Sequence, residues 1–541
     1  MLTSCKHCSG RGTEPLPPNA QDLHALQNQP CRTHDGNTCN ACRAMISLEA
    51  KILDAQAALL QLLNLHRDLR EEMNQAHSLI NQRLAPELLS SIFQCCIDDN
   101  IEDGMSSSGV KIDIRAPYTL AAVCKAWRSI ALSTPNLWNK VFITIDQNND
   151  VPLQAQLLRE WLSRSGDLPL KICTKYNRNA LYPGPHDEND AFAETPILDI
   201  INQYSSRWQD LYFTVSAAFL KRLRAPNGTP LLRTVSLYPQ QWFRDCKWQL
   251  NHATPQNLYL NLSKISHELE NTTDNMFNVD WSAVTRLVST DFPRVLQHGI
   301  RQASNLQYLE IIIPSQTTPA GDEVLQGISI TNSNVKEFTY QCRGEPKLMS
   351  FDLPAAQMWH MKLNMLTTQA GIDSFKASLE RSPCLTHLTI YIMALKDKLI
   401  HILHSVPSLQ SLTIEGTFLS FGQEDGLFAH LCKTATTNPA HFLPNLRMIS
   451  CHARARNTSW TNLPLVFGPL GELTNPARRP LTSFVVLVFG SYQDPEGPIP
   501  ASCIDPTLIP QLKSLKDAKL NLEVRHRRSN RNLLPWPLNE Q

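Results

Sequence analysis

The chain has 541 residues, 42% of them hydrophobic and 18% charged, the composition of a folded protein rather than of a chain disordered throughout. Fifty Lys and Arg against 49 Asp and Glu leave a net charge of +1, so no overall field steers it to nucleic acid or an anionic membrane. Fifteen cysteines, an odd number, argue against a disulfide framework, and the longest apolar run, Phe484 to Phe489, is far short of the ~20 residues that span a bilayer. The first residues, MLTSCKHCSGRG, lack an apolar signal core. The expectation is an intracellular protein, cytoplasmic or nuclear and not secreted, with no membrane and no specific nucleic acid as partner.

Residues 1–44 show no apolar periodicity and carry the breaker Pro15-Leu16-Pro17-Pro18. They hold two C-x-x-C pairs, Cys5 with Cys8 and Cys39 with Cys42. Thiolates two apart on a turn can point at one zinc ion, and two such pairs complete a tetrahedron. Cys5, Cys8, Cys39 and Cys42 are therefore the candidate ligands of a structural zinc, with His7, Cys31 and His34 as competing donors. A disordered tail is the other reading.

Residues 45–82 form the firmest helix. From Met45 to Ile80 there is no Pro or Gly, and apolar residues alternate in steps of three and four: Met45, Leu48, Ile52, Ala55, Leu59, Leu62, His66, Leu69, Met73, Ala76, Ile80. His66 is the one polar interruption. Leu60, Leu63, Leu65 and Leu79 widen the face beyond a narrow seam, which favours packing against the protein's own domain over a two-chain coiled coil through residues 45–80.

Residues 83–143 contain two short helical patterns. Pro86 stands at an opening turn, and Leu88, Leu89, Ile92, Phe93, Cys96 and Ile97 form one stripe behind the poor cap Ala85. A polar stretch, Asp98 to Pro117, reads as a loop. Leu120, Val123, Cys124, Trp127, Ile130 and Ala131 share a face of the second helix, which Pro135 ends just before Leu137 and Trp138.

Residues 144–524 repeat an apolar residue, two of any type, a second apolar residue, one of any type, and a third. Trp208/Leu211/Phe213, Leu232/Val235/Leu237, a loose Leu258/Leu260/Leu262 and a degenerate Val284/Leu287 come first. Leu306/Leu309/Ile311, Val335/Phe338/Tyr340, Met358/Met361/Leu363, Leu385/Leu388/Ile390 and Leu409/Leu412/Ile414 follow at steps of 29, 23, 27 and 24 residues. Leu446/Ile449/Cys451, Leu481/Phe484/Val486 and Leu515/Ala518/Leu520 follow at 37, 35 and 34. One short strand per repeat, with alternate side chains turned to a shared core, predicts an irregular α/β solenoid of leucine-rich-repeat type. Residues 525–541, with Arg525, Arg527, Arg528 and Arg531, read as a basic solvated tail.

Phosphate loops, nucleophile elbows and zinc-protease helices are all missing from the sequence, so no catalytic residue is assigned and an enzyme is not expected. The segment Leu84-Ala85-Pro86-Glu87-Leu88-Leu89-Ser90-Ser91-Ile92-Phe93, then Val123-Cys124-Lys125-Ala126-Trp127-Arg128, then Leu137-Trp138, resembles the F-box. The layout is similar to fungal F-box-like proteins, with a Cys-pair tail and heptad helix before the box and a leucine-rich region after it. The expected fold class is thus α+β to α/β and multidomain: a long helix, a small all-α F-box domain, then the solenoid.

The resemblance implies a substrate receptor that docks on a Skp adaptor of a cullin ubiquitin ligase and presents an unidentified protein substrate on its repeat surface. By residue type, Leu84, Pro86, Leu88, Leu89, Ile92, Phe93, Val123, Cys124, Trp127, Leu137 and Trp138 are the partner-binding candidates it implies. A scaffold that self-associates through the heptad helix, with no ligase role, is the alternative.

Overall fold

The computed structural model describes residues 40–97, 116–145, 151–176, 195–215, 217–238, 248–249, 253–262, 277–290, 294–313, 329–342, 350–363, 368–392, 398–415, 426–454, 464–489 and 508–526. These residues divide into two compact units, one ending at Ser133 and one beginning at Thr134. The boundary lies ten residues before the expected one, because 140–143 belong to a strand of the second unit (143 − 133 = 10).

The first unit is helical. Helix α1 runs Asn40–His77 and α2 runs Leu79–Arg83. Five residues of the expected Cys-rich segment, 40–44, therefore already belong to the helix. The seam of α1 is not covered as expected: Met45, Leu48, Leu59, Leu62, Leu69 and Met73 are each more than half exposed. His66, Arg67, Arg70 and Glu71 line a pocket together with Val123, Lys125 and Arg128, Glu71 pairs with Lys125 at 3.4 Å, and the Ala76 carbonyl accepts from the Gln82 side chain.

Helix α3 spans Pro86–Cys95, with Pro86 in its first turn and no side-chain cap from Ala85. The second helical pattern is two helices, α4 Ala116–Val123 and α5 Lys125–Ser133. The break at Cys124 has a local cause. Its Sγ accepts a hydrogen bond from the Trp127 amide at 3.4 Å, replacing the partner that an amide loses at a helix start.

In the second unit, strands β1 Lys140–Ile145, β2 Leu170–Tyr176, β3 Trp208–Thr214, β4 Thr234–Leu237, β5 Asn257–Asn261, β6 Arg286–Thr290, β7 Tyr308–Ile313, β8 Glu337–Cys342, β9 Met358–Leu363, β10 His387–Ile392, β11 Ser411–Glu415, β12 Met448–Arg454, β13 Ser483–Phe489 and β14 Asn521–His526 form one 14-stranded sheet. Every pairing is parallel and joins a strand to the next one in this series. Such an order has no point where the strand sequence reverses, and so no switch-point crevice of the kind that binds ligands in doubly wound sheets. Two-stranded parallel pairs, Ser329–Thr331 with Ser350–Asp352 and Trp248–Gln249 with Phe277–Asn278, lie on the return connections.

Side-chain alternation explains the core. Along β7 every second residue is buried, and Leu309, opposite Phe338 on one side and Leu287 on the other, is one rung of a ladder running the length of the sheet. Each fully buried Leu or Phe on it contributes about 1.5–3 kcal/mol. Phe338, Phe351 and Trp359 thicken the ladder with ring centroids 4.7 to 6.1 Å apart. At one return turn the buried Asn332 donates to the carbonyls of Ile300 and Ala303 and accepts from the amides of Asn334 and Val335.

Three predicted copies are out of frame: Leu258 lies beside Val235 and Leu260 beside Leu237, so the loose copy enters the ladder with Leu258 and Leu260 rather than with Leu260 and Leu262. Phe338 lies beside Trp359 and Tyr340 beside Met361, so the copy expected at Met358 begins at Ala356 instead. Phe484 lies beside Leu522, so the last is Leu522/Val524, while Leu515 sits on the helix Ile509–Asp517. The strand also takes in Arg525 and His526, placing Arg525 of the expected tail in the sheet, where it pairs with Glu523. Arg527, Arg528 and Arg531 lie outside the described residues.

Candidate partner-binding interface

The eleven residues singled out in the sequence divide into exposed and covered groups. On α3 the apolar stripe is two residues wide and one neighbour covers half of it. Leu89 and Phe93, one turn apart, are buried, and Phe93 packs on Trp127 of α5 with ring centroids 4.8 Å apart. Leu88 and Ile92, the adjacent pair one turn apart, remain 54% and 46% exposed. On α4, Val123 is 56% exposed, while Leu120 and Ala121 turn inward. Pro86 is exposed; Leu84, Cys124 and Trp127 are half-buried.

Leu89, Phe93, Leu137 and Trp138 are buried by this chain's own atoms. Leu137 and Trp138 belong to the second unit. Trp138 meets Trp161 edge-on at 4.8 Å, and the Arg164 guanidinium lies 4.8 Å over its ring. The outward set is therefore Pro86, Leu88, Ile92 and Val123, flanked by Leu84, Cys124 and Trp127. An exposed apolar pair on a ten-residue helix is a surface that gains by being covered.

Cys5, Cys8 and Cys39 lie outside the described residues, and so does the side chain of Cys42 in the first turn of α1; the zinc expectation falls on them. Among the described residues no group of three or more His, Cys, Asp or Glu is placed to hold a metal ion. No described helix is long and apolar enough to cross a membrane.

A second surface, which the pattern search did not single out, is the outward face of the sheet. Once the ladder sets the register, the residues between its rungs point the other way, and on β5 to β7 these include Tyr259, Arg286, Tyr308 and Glu310, with Tyr238 just past the end of β4. Tyr308 donates its hydroxyl to Glu310 Oε2 at 2.8 Å, and the Arg286 guanidinium stacks 3.7 Å over the Tyr308 ring. The Arg286 Nε is buried with no hydrogen-bond partner. Burial, followed by the Glu310 hydrogen bond, pushes the Tyr308 phenol up to about 12; burial, then the Glu310 charge, does the same for Tyr238. Both phenols stay protonated at neutral pH and remain hydrogen-bond donors. Tyr and Arg grouped in this way are the residue types that anchor protein interfaces.

Neither a family model nor a curated protein matches the chain.

Proposed function

We propose that the chain is a non-catalytic substrate receptor of F-box type. In this reading α3, α4 and α5 dock on a Skp-type adaptor by burying Leu88, Ile92 and Val123. The parallel sheet, as a leucine-rich-repeat-like array, presents a protein substrate on the face that carries Tyr238, Arg286, Tyr308 and Glu310. The other subunits of the cullin ligase supply the transfer chemistry, and no cofactor takes part.

The observation that carries the reading is the exposure of Leu88 and Ile92 beside the buried Leu89 and Phe93. A helix that needed only to close its own small core would turn its widest apolar stripe inward, whereas this one leaves an oily pair in water.

The test is co-purification of the full chain with a Skp-type adaptor, set against a Leu88→Asp, Ile92→Asp variant. Both side chains are exposed, so the variant keeps its fold, which an unchanged melting profile verifies. Loss of adaptor recovery is the expected result. Equal recovery of both chains, or no recovery of either, rejects docking through this helix.

A further inference from the structure

Helix α1 carries a seam whose large apolar residues stay more than half exposed, although its polar member His66 lines a pocket with Val123 and Lys125. With Met45 as the first a position, the a residues in the helix are Met45, Ile52, Leu59, His66 and Met73, and the d residues are Leu48, Ala55, Leu62, Leu69 and Ala76. A seam of this length and exposure, on a helix that also leaves Ile46, Leu53, Leu60 and Leu63 in water, asks for a partner of the same period. We infer that the partner is a second copy of this chain, running antiparallel, with Leu59 of each copy against Leu62 of the other. This inference does not depend on the adaptor reading.

Size complementarity selects the direction. In the antiparallel register, a layers face d layers, and the bulky His66 meets the small Ala55 of the second copy. Ile52 then meets Leu69, and Met45 meets Ala76. In a parallel pair His66 would face His66, setting two imidazoles against each other in an apolar layer.

Charge complementarity selects the same register independently. The g-flank residues Lys51 and Glu72 are exposed, and neither makes an ion pair among the described residues. The antiparallel register brings Lys51 of each copy to Glu72 of the other, twice by symmetry, and sets Glu49 against Arg70 on the opposite flank. Leu65, which lies outside the seam, is covered by Ala58 of the second copy. In a parallel pair Lys51 faces Gln56 and Glu72 faces His77. Sliding the antiparallel pair by one heptad either way removes both the Lys51–Glu72 and the Glu49–Arg70 matches.

The experiment is sedimentation of the full chain over a range of concentrations up to tens of micromolar, for the natural sequence and for Lys51→Glu, Glu72→Lys and the double exchange. The natural chain is expected to form a reversible dimer. Each single variant places two like-charged pairs in the interface and weakens it about tenfold, and the double exchange restores the natural affinity. Equal far-UV circular dichroism of the four chains shows that the helix is retained. A natural chain that stays monomeric overturns the inference. So do single variants that associate normally, or a double exchange no better than either single one, since these results mean another face or another direction. Loss of adaptor binding by the Leu88/Ile92 variant leaves this result untouched, so the two readings fail separately.

Discussion

Gly299 lies against the indole of Trp281 so closely that a Cβ on it would come within 3.0 Å of the ring. Glycine in the middle of the helix Arg294–Gln302 ordinarily weakens that helix by about 1 kcal/mol relative to alanine. Here the ring occupies the space, and Trp281, 6% exposed at the start of a short 3-10 turn, has little room to retreat. Gly299→Ala is expected to destabilise the sheet unit by about 1–3 kcal/mol despite the gain in helix propensity. A lower unfolding midpoint in a thermal or urea melt is the readout; a rise would mean that Trp281 moves freely.

Thr174 sits on the buried ladder between Ile143 and Phe213, and its hydroxyl has no hydrogen-bond partner. An orphaned buried hydroxyl costs about 1–3 kcal/mol, and valine has the same shape without it. Thr174→Val is therefore expected to stabilise the protein by about 1 kcal/mol, measured as a higher midpoint of urea unfolding. An unchanged or lower midpoint would show that the hydroxyl is satisfied after all.

Arg479 is 1% exposed and pairs with no carboxylate among the described residues. Its guanidinium instead donates to the carbonyls of Phe442 and Leu431 and to the Thr434 hydroxyl, tying the helix Leu427–Thr437 to the turn after it. Burial draws its pKa down to about 10, which leaves it charged at neutral pH. Arg479→Ala is expected to cost about 2–4 kcal/mol. Arg479→Lys should fail to restore it, because a single ammonium cannot reach three acceptors in fork geometry. Equal stability of the Lys variant and the natural chain would reduce the residue to a space-filler.

Beside Arg479, His404 meets His430 and His441 with ring centroids 5.9 and 5.3 Å apart. Burial, then the neighbouring basic groups His441, His401 and Lys376, holds the His404 imidazole below its ordinary 6.5. Burial, then His404, Arg479, His441 and Lys433, does the same for His430. A base whose folded pKa is depressed takes up protons in the unfolded chain first. Stability is thus full above pH 6.5 and falls as the pH drops from there toward the depressed folded values. Melting midpoints at pH 7.5 and 5.5 should show the drop, and His430→Gln should reduce it. A pH-independent midpoint across that range would contradict this account.

The ladder could be read from the sequence because inward positions alternate with polar ones and recur near a fixed interval, as at Leu309, Phe338, Leu388 and Leu412. The pattern failed where neighbouring frames were equally apolar: Met358 and Leu363 fit the template as well as Trp359 and Met361. Strands β1 and β2 are not legible in the sequence, since Val141 follows directly on a helical segment and Thr174 breaks the apolar pattern of Ile172. On α3 the sequence shows four apolar residues in two adjacent pairs, and only packing against Trp127 decides which pair turns inward. Nor does any pattern announce that the Cys124 thiol divides a helix by taking the Trp127 amide as its donor.

The one-directional pairing of the sheet has a mechanical consequence. Phe338 and Trp359 are 21 positions apart (359 − 338) and Ile172 and Leu211 are 39 (211 − 172), so rungs that touch are never remote along the polymer. Melting can then start at either rim, at β1 or β14, and advance row by row, since each row leans only on the two beside it. A lesion in the middle, such as one at Trp359, would leave two shorter stacks, each free to fray by itself.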